Sequence, residues 1–220
     1  MIINPMSQEL DLLRKLHFGS VTEQELVDIF YRYRDNYRMR LNLVMHPKFP
    51  EKYALNIISH LFAVDLIRVI KNKRTNPFIR KKAELEFNEK YKRFPLGEKL
   101  SYMKMAPYSL LNYFIEERDK RVLKVMLKNR SCTEELVLKF INRENSRHLV
   151  YEALSSSEWY KRPAVAEAIA HDTQAPIRML IDILPYLSKR TLRKLYEKED
   201  THKIVKRNII EYYRKSGNRQ

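Results

Sequence analysis

Glycine is scarce: three residues, Gly19, Gly97 and Gly217, serve a chain of 220. That is too few for the tight hairpin turns of a β-sandwich, or for a glycine-rich phosphate loop whose backbone must lie bare. Cysteine occurs once, at Cys132. An internal disulfide is therefore excluded, and a reducing cytoplasm is the expected location. No N-terminal run joins basic residues to an apolar stretch and a small-residue cleavage site, so no secretory leader is expected. No uncharged apolar run approaches the roughly 20 residues that cross a bilayer. The greasiest piece, Ile57 to Ile70, is broken by His60, Asp65 and Arg68. The histidines (17, 46, 60, 148, 171 and 202) are scattered, and neither HExxH nor Cys-x-x-Cys occurs. No metal and no cofactor are expected.

Acidic residues are also short, 27 against 43 lysines and arginines, which leaves a formal charge of +16. An excess of that size points to a polyanionic partner or to a basic but inert surface. It is unevenly placed. Residues 1 to 30 carry more acids than bases, whereas Arg68 to Arg93 and Lys189 to Lys215 hold much of the surplus.

The chain does have helical periodicity. Ala54-Leu55, Leu110-Leu111, Val137-Leu138 and Met179-Leu180 are each followed, three residues after the leucine, by Ile58, Phe114, Ile141 and Ile183. That spacing puts each set on one stripe of a helix, and stripes recurring along a chain are buried by stacking on their neighbours. With 44% apolar residues the chain has enough to fill a core, and one structural unit is the default expectation. Helix starts are marked by capping boxes at Thr22/Glu25 and Ser131/Glu134, and by Asn76 before Pro77. Pro50, Pro107 and Pro176 suit first-turn positions, and Ser7, Ser188 and Thr201 are further caps. The reading is all-α: about a dozen helices joined by short turns, including a longer one from Pro77 to about Arg93.

The turn chemistry carries a resemblance. Val44-Met45-His46-Pro47 before Ala54-Leu55, Val125-Met126-Leu127-Lys128-Asn129 before Val137-Leu138, and Ala168-Ile169-Ala170-His171-Asp172 before Met179-Leu180 resemble HEAT-like repeats, including the leucine-rich-repeat-variant type. The likeness spans residues 36 to 185. It implies an α-solenoid-like stack of degenerate helical hairpins forming a single domain over residues 35–220, with residues 1–34 as a helical cap. Trp159-Tyr160-Lys161-Arg162-Pro163-Ala164-Val165 is also similar to the tryptophan-basic segment of HEAT-like DNA glycosylases. Those enzymes bring aromatic side chains and an aspartate to one concave surface. Here the preceding segment offers Glu152 and neither an aspartate nor a second tryptophan, so no catalytic residue is assigned.

Candidate contacts follow from charge and aromatic interleaving. Tyr31-Arg32-Tyr33-Arg34 and Tyr37-Arg38-Met39-Arg40 combine rings that stack on bases with cations that neutralise phosphates. On a continuous helix Tyr33, Tyr37 and Arg40 would share a face; alternatively Asp35-Asn36 breaks the helix and the tyrosines are interhelical core. Arg74, Arg80, Lys81 and Lys82 flank a turn and a helix start, a reasonable phosphate site. Trp159 is either a further aromatic contact or a packing residue. Asp65, inside an apolar run, requires a partner, and Arg68 three residues on is the nearest. His46 and His171 follow apolar helix ends, where an imidazole can bond to terminal carbonyls. Cys132 has no evident activating base and is read as structural. The function expected is non-catalytic binding of nucleic acid or an acidic protein surface, through Arg38, Arg40, Arg74, Arg80, Lys81 and Lys82, with Tyr33, Tyr37 and Trp159 as aromatic contacts. The alternatives are a protein-protein scaffold and a HEAT-like DNA glycosylase or other nucleic-acid enzyme.

Overall fold

The computed structural model describes residues 5–18, 20–143 and 147–217. Among these every regular element is helical, fifteen α-helices with two short 3-10 turns. No helix of the described residues is long and apolar enough to cross a membrane. Helix packing divides the chain into two compact units, residues 1–95 and 96–220.

The first unit holds α1 (Pro5–Phe18), α2 (Glu23–Arg32), α3 (Tyr37–Val44), α4 (Glu51–Ile58), α5 (Ala63–Lys71) and α6 (Pro77–Tyr91). α1 and α2 both pack on α3, α3 packs on α4, and α6 lies against α4 and α5. The second unit holds α7 (Leu96–Met105), α8 (Tyr108–Tyr113), α9 (Lys120–Leu127), α10 (Glu134–Ile141) and α11 (Arg147–Leu154). It continues through α12 (Pro163–His171), α13 (Ile177–Ile183), α14 (Lys189–Glu197) and α15 (Lys203–Gly217). There α9 packs on α7 and α11, α10 on α11 and α12, α12 on α13 and α14, and α15 on α13 and α14.

The caps follow the local chemistry with instructive differences. Thr22 and Glu25 form a reciprocal capping box, Asn76 accepts the Phe78 N–H at 2.8 Å with Pro77 behind it, and Ser188 accepts from Thr191. Ser131 is not a cap. α10 begins two residues later than a Ser131 cap would place it, and Thr133 accepts the Leu136 N–H. Pro50, Pro107 and Pro176 stand just before their helices rather than in the first turn, as N-caps in extended conformation. Ser7 falls inside α1, and Thr201 is a buried residue of the turn before α15.

One joint recurs. At His46, Asn72, Asn129 and Asp172 the side chain accepts the N–H two residues on, from Lys48 (3.2 Å), Arg74 (3.0 Å), Ser131 (2.6 Å) and Gln174 (2.9 Å). The carbonyl of each accepts the N–H three residues on, from Phe49, Thr75, Cys132 and Ala175. Those four residues are buried, and the next residue in each case is the N-cap of the following helix. A side-chain acceptor standing in for a backbone carbonyl fixes the reversal while leaving the helix end satisfied. A fifth turn, Lys198 to His202, keeps the backbone bond from Thr201 and the buried third residue without the side-chain acceptor.

The repeated apolar pattern is registered differently from the sequence reading. Leu110, Leu111 and Phe114 are all buried as the pattern expects; in the other three sets Ala54, Val137 and Met179 are buried, as are Ile58, Ile141 and Ile183, but Leu55 is exposed and Leu138 and Leu180 are half-buried. Positions i and i+4 share a stripe, and the intervening i+1 leucine stands about 100° away at its edge.

Asn129 tests how much the joints contribute. It is 8% exposed, and its amide donates to the carbonyls of Met103 (2.5 Å) and Ala106 (3.1 Å) while its oxygen holds Ser131. Asn129→Ala is expected to lower unfolding free energy by about 3 kcal/mol, because it strands several buried backbone groups. Asn72→Ala, at a half-buried position with one good bond, is expected to lose only about 1 kcal/mol. Urea unfolding of both variants measures the difference, and equal losses would refute it.

Candidate nucleic-acid interface

The tyrosine-arginine segment is split. α2 ends at Arg32 with Tyr33 as its C-cap, and α3 restarts after Asn36, whose side chain accepts the Met39 N–H at 2.9 Å. Tyr33, Tyr37 and Arg40 therefore do not share one continuous helix face. The half-buried Tyr37 works inside the first unit: its hydroxyl donates to Asp65 Oδ2 at 2.6 Å and accepts the Phe62 N–H at 3.0 Å, and its ring packs on Phe62. Asp65 is buried, and Arg68 completes it through Nη1 to Oδ1 at 2.7 Å, the partner expected from the sequence. The second unit repeats this chemistry with Tyr151 and Arg147 on Asp172. There burial acts to raise the Asp172 pKa, and bonds from Tyr151 and the Gln174 N–H with the Arg147 charge outweigh it and lower it.

The six predicted cations lie on three elements: Arg38 and Arg40 on α3, Arg74 in the turn after α5, and Arg80, Lys81 and Lys82 on α6. Arg38 is exposed and Arg40 half-buried. Arg74 donates to the His17 carbonyl at 3.1 Å, Lys81 pairs with Glu84 at 3.2 Å, and Lys82 stands over the Phe78 ring. Arg80 is half-buried, and its Nε is enclosed with no hydrogen-bond partner among the described residues.

Trp159 sits in a 3-10 turn, Trp159–Lys161. Its indole N–H donates to the Leu127 carbonyl at 2.7 Å and Arg162 lies 4.3 Å from its ring centroid. Glu152 on α11 is bound to Lys120 at 2.8 Å. The buried Cys132 thiol is pushed up to about 11 by burial, against the Arg162 charge, so it stays protonated at neutral pH. Among the described residues no group of three His, Cys, Asp or Glu side chains is placed to hold a metal ion. His46 uses its ring as an acceptor, from the Lys48 N–H, rather than bonding a terminal carbonyl.

A surface absent from the sequence-derived site lies on α14 and α15. Lys189, Arg193, Tyr196, Ile210 and Tyr213 line a groove of about 390 Å³. Tyr196 and Ile210 also line an adjoining one of about 430 Å³ with Lys203, Lys206, Arg207, Glu211 and Arg214. Shared walls make the two continuous. Tyr196, Ile210 and Tyr213 are 42%, 39% and 41% exposed, an unusual concentration of uncovered large side chains. Arg193 and Arg207 pair with Glu197 and Glu211 one turn on, whereas Lys189, Lys203, Lys206 and Arg214 have no carboxylate partner among the described residues. The sequence shows the cations of this surface and not the groove. Thr191, Leu192, Leu195, Val205 and Ile209 complete the buried stripes of the two helices, so Tyr196, Ile210 and Tyr213 are left over among the cations.

No family model matches the chain, and neither a curated protein nor a solved structure matches it.

Burial, then the bond to Asp65, pushes Tyr37 up from 10.0 to about 12. A raised folded-state pKa adds stability that is complete below pH 10 and lost as pH climbs through 12. Ultraviolet titration should show a tyrosine ionising near 12 that disappears in Tyr37→Phe. That variant should lose about 2 kcal/mol at neutral pH. Ionisation of Tyr37 with the ordinary tyrosines would remove this account.

Proposed function

We propose that the chain is a non-catalytic helical-repeat protein of HEAT-like build that holds nucleic acid, working in the reducing cytoplasm. What supports the reading most is the α14–α15 groove, where exposed tyrosine and isoleucine side chains run between cations of which Lys189, Lys203, Lys206 and Arg214 have no carboxylate partner among the described residues. Aromatic faces flanked by lysine and arginine suit a polymer carrying flat bases on an anionic backbone. Phosphates would be met by Lys189, Lys203, Lys206 and Arg214, and bases by Tyr196 and Tyr213. Arg38, Arg40, Arg74, Arg80 and Lys82 would add contacts from the first unit. The recurring joint after α3, α5, α9 and α12 supports the HEAT-like build, since one turn chemistry used four times is the mark of repeated hairpins. A second reading, a scaffold gripping an acidic partner helix, is favoured by the apolar floor of the same groove.

Fluorescence anisotropy with single- and double-stranded DNA and RNA across a salt series tests the reading. Lys203→Glu/Lys206→Glu/Arg214→Glu is expected to reduce the logarithmic salt slope by about 2, from the counterions its lost contacts no longer release. Tyr196→Ala should weaken single-strand binding by about tenfold through lost stacking. The triple change Arg80→Glu/Lys81→Glu/Lys82→Glu should have the smaller effect, because Lys81 already pairs with Glu84. No binding at low salt would discard nucleic acid and leave the acidic helix as the partner to test.

A further inference from the structure

His46 keeps only 6% of its surface exposed, and the turn behind it fixes its ring: Nδ1 accepts the Lys48 N–H at 3.2 Å. An accepting Nδ1 places the proton of the neutral imidazole on Nε2. That N–H has no acceptor among the described residues, and it is not sealed in the core. The ring instead forms part of the wall of a cavity of about 250 Å³, with His17, Asn42, Asn72 and Arg74 as further polar walls and Leu16 and Met45 as apolar ones. A donor left without a protein acceptor on a ring that lines an open volume can be met there by water or by a bound acceptor.

The wall chemistry selects the sign of that acceptor. No carboxylate among the described residues lines the cavity. Arg74 is tethered at two points, its Nη1 on the His17 carbonyl and its backbone N–H on Asn72 Oδ1 at 3.0 Å, so the guanidinium is positioned while its other N–H groups stay open. Burial, followed by the Arg74 and Lys48 charges, holds His46 below its ordinary pKa. The ring is thereby kept as a neutral, directed donor beside one fixed cation. A planar fork of donors with a neutral N–H next to it matches a tetrahedral oxyanion better than a single rounded ion.

We propose that this cavity binds a phosphate group, with Arg74 supplying charge and paired donors and His46 Nε2–H supplying a third. The site lies within residues 1–95 and does not rest on the α14–α15 groove binding nucleic acid. The phosphate can come as a small free anion or monoester, or as one link of a nucleic-acid backbone.

The test uses the full chain with ¹⁵N-labelled histidine. The His46 ring signals are followed as inorganic phosphate is added against chloride at matched ionic strength, and then with a short thymidine oligonucleotide in place of phosphate. Phosphate is expected to move the Nε2 signal saturably, with affinity reduced at least roughly tenfold in Arg74→Gln, the scale of one charged hydrogen bond. Arg74→Lys, which keeps charge without the fork, should fall between them and serves if the glutamine variant unfolds. Movement by inorganic phosphate alone assigns the site to small phosphates, and movement by the oligonucleotide assigns it to the backbone; both support a phosphate site. Movement by neither, or equal affinity in wild type and Arg74 variants, overturns it.

Discussion

Helices of eight residues do not stand by themselves in water, because the nucleation penalty exceeds what so few backbone bonds return. α3, α4, α9, α10 and α11 are all that length. Everything else in this protein depends on how their ends are joined. The joint at His46, Asn72, Asn129 and Asp172 answers the need with one device: a side-chain acceptor turns the chain, a buried residue anchors the turn, and the following residue starts the next helix. Asn129 goes further and ties its turn to the carbonyls of Met103 and Ala106. Asp172 joins its own turn to the Tyr151 and Arg147 cluster. His46, Thr75 and Asn129 bring buried polar groups to these joints, where a hydrogen bond prevents a buried orphan as well as adding attraction.

The positive charge divides into two populations. Several cations sit three or four residues from an acid on their own helix, as Lys139 does with Glu135 and Arg193 with Glu197. Exposed pairs of that kind contribute a few tenths of a kcal/mol and leave little free field. Others pair across elements, as Lys120 does with Glu152 and Arg147 with Asp172, while Lys189, Lys203, Lys206 and Arg214 have no carboxylate partner among the described residues and stand around uncovered tyrosine and isoleucine on α14 and α15. In the first unit the unpaired positive charge is more dispersed, yet Arg74 is held by two hydrogen bonds beside a buried imidazole.

Much of the local structure was legible. The all-α composition follows from scarce glycine and the 3.6-residue apolar period, and the Thr22, Asn76 and Ser188 caps stand where their chemistry puts them. Asp65 found Arg68 because three residues along a helix bring two side chains together regardless of the rest of the fold. Ser131 failed as a cap for an equally physical reason: Asn129 captured its N–H, and the turn ran two residues further before Thr133 could cap α10. The α14–α15 groove was illegible as a site because a run of lysines and arginines looks the same whether its apolar neighbours are buried or left open.

The sequence by itself determined the class of structure, the positions of most helices and the size of the positive excess, since each depends on residues within a turn or two of one another. Only the tertiary structure decided that Tyr37 serves Asp65, that Leu55 stands outside its stripe, and that Tyr196 and Tyr213 remain uncovered. It also decided that His46 and Arg74, 28 positions apart in the sequence, wall one cavity. Those outcomes depend on which helix packs beside which. Packing is fixed by the fit of several surfaces at once, a quantity that no local pattern contains.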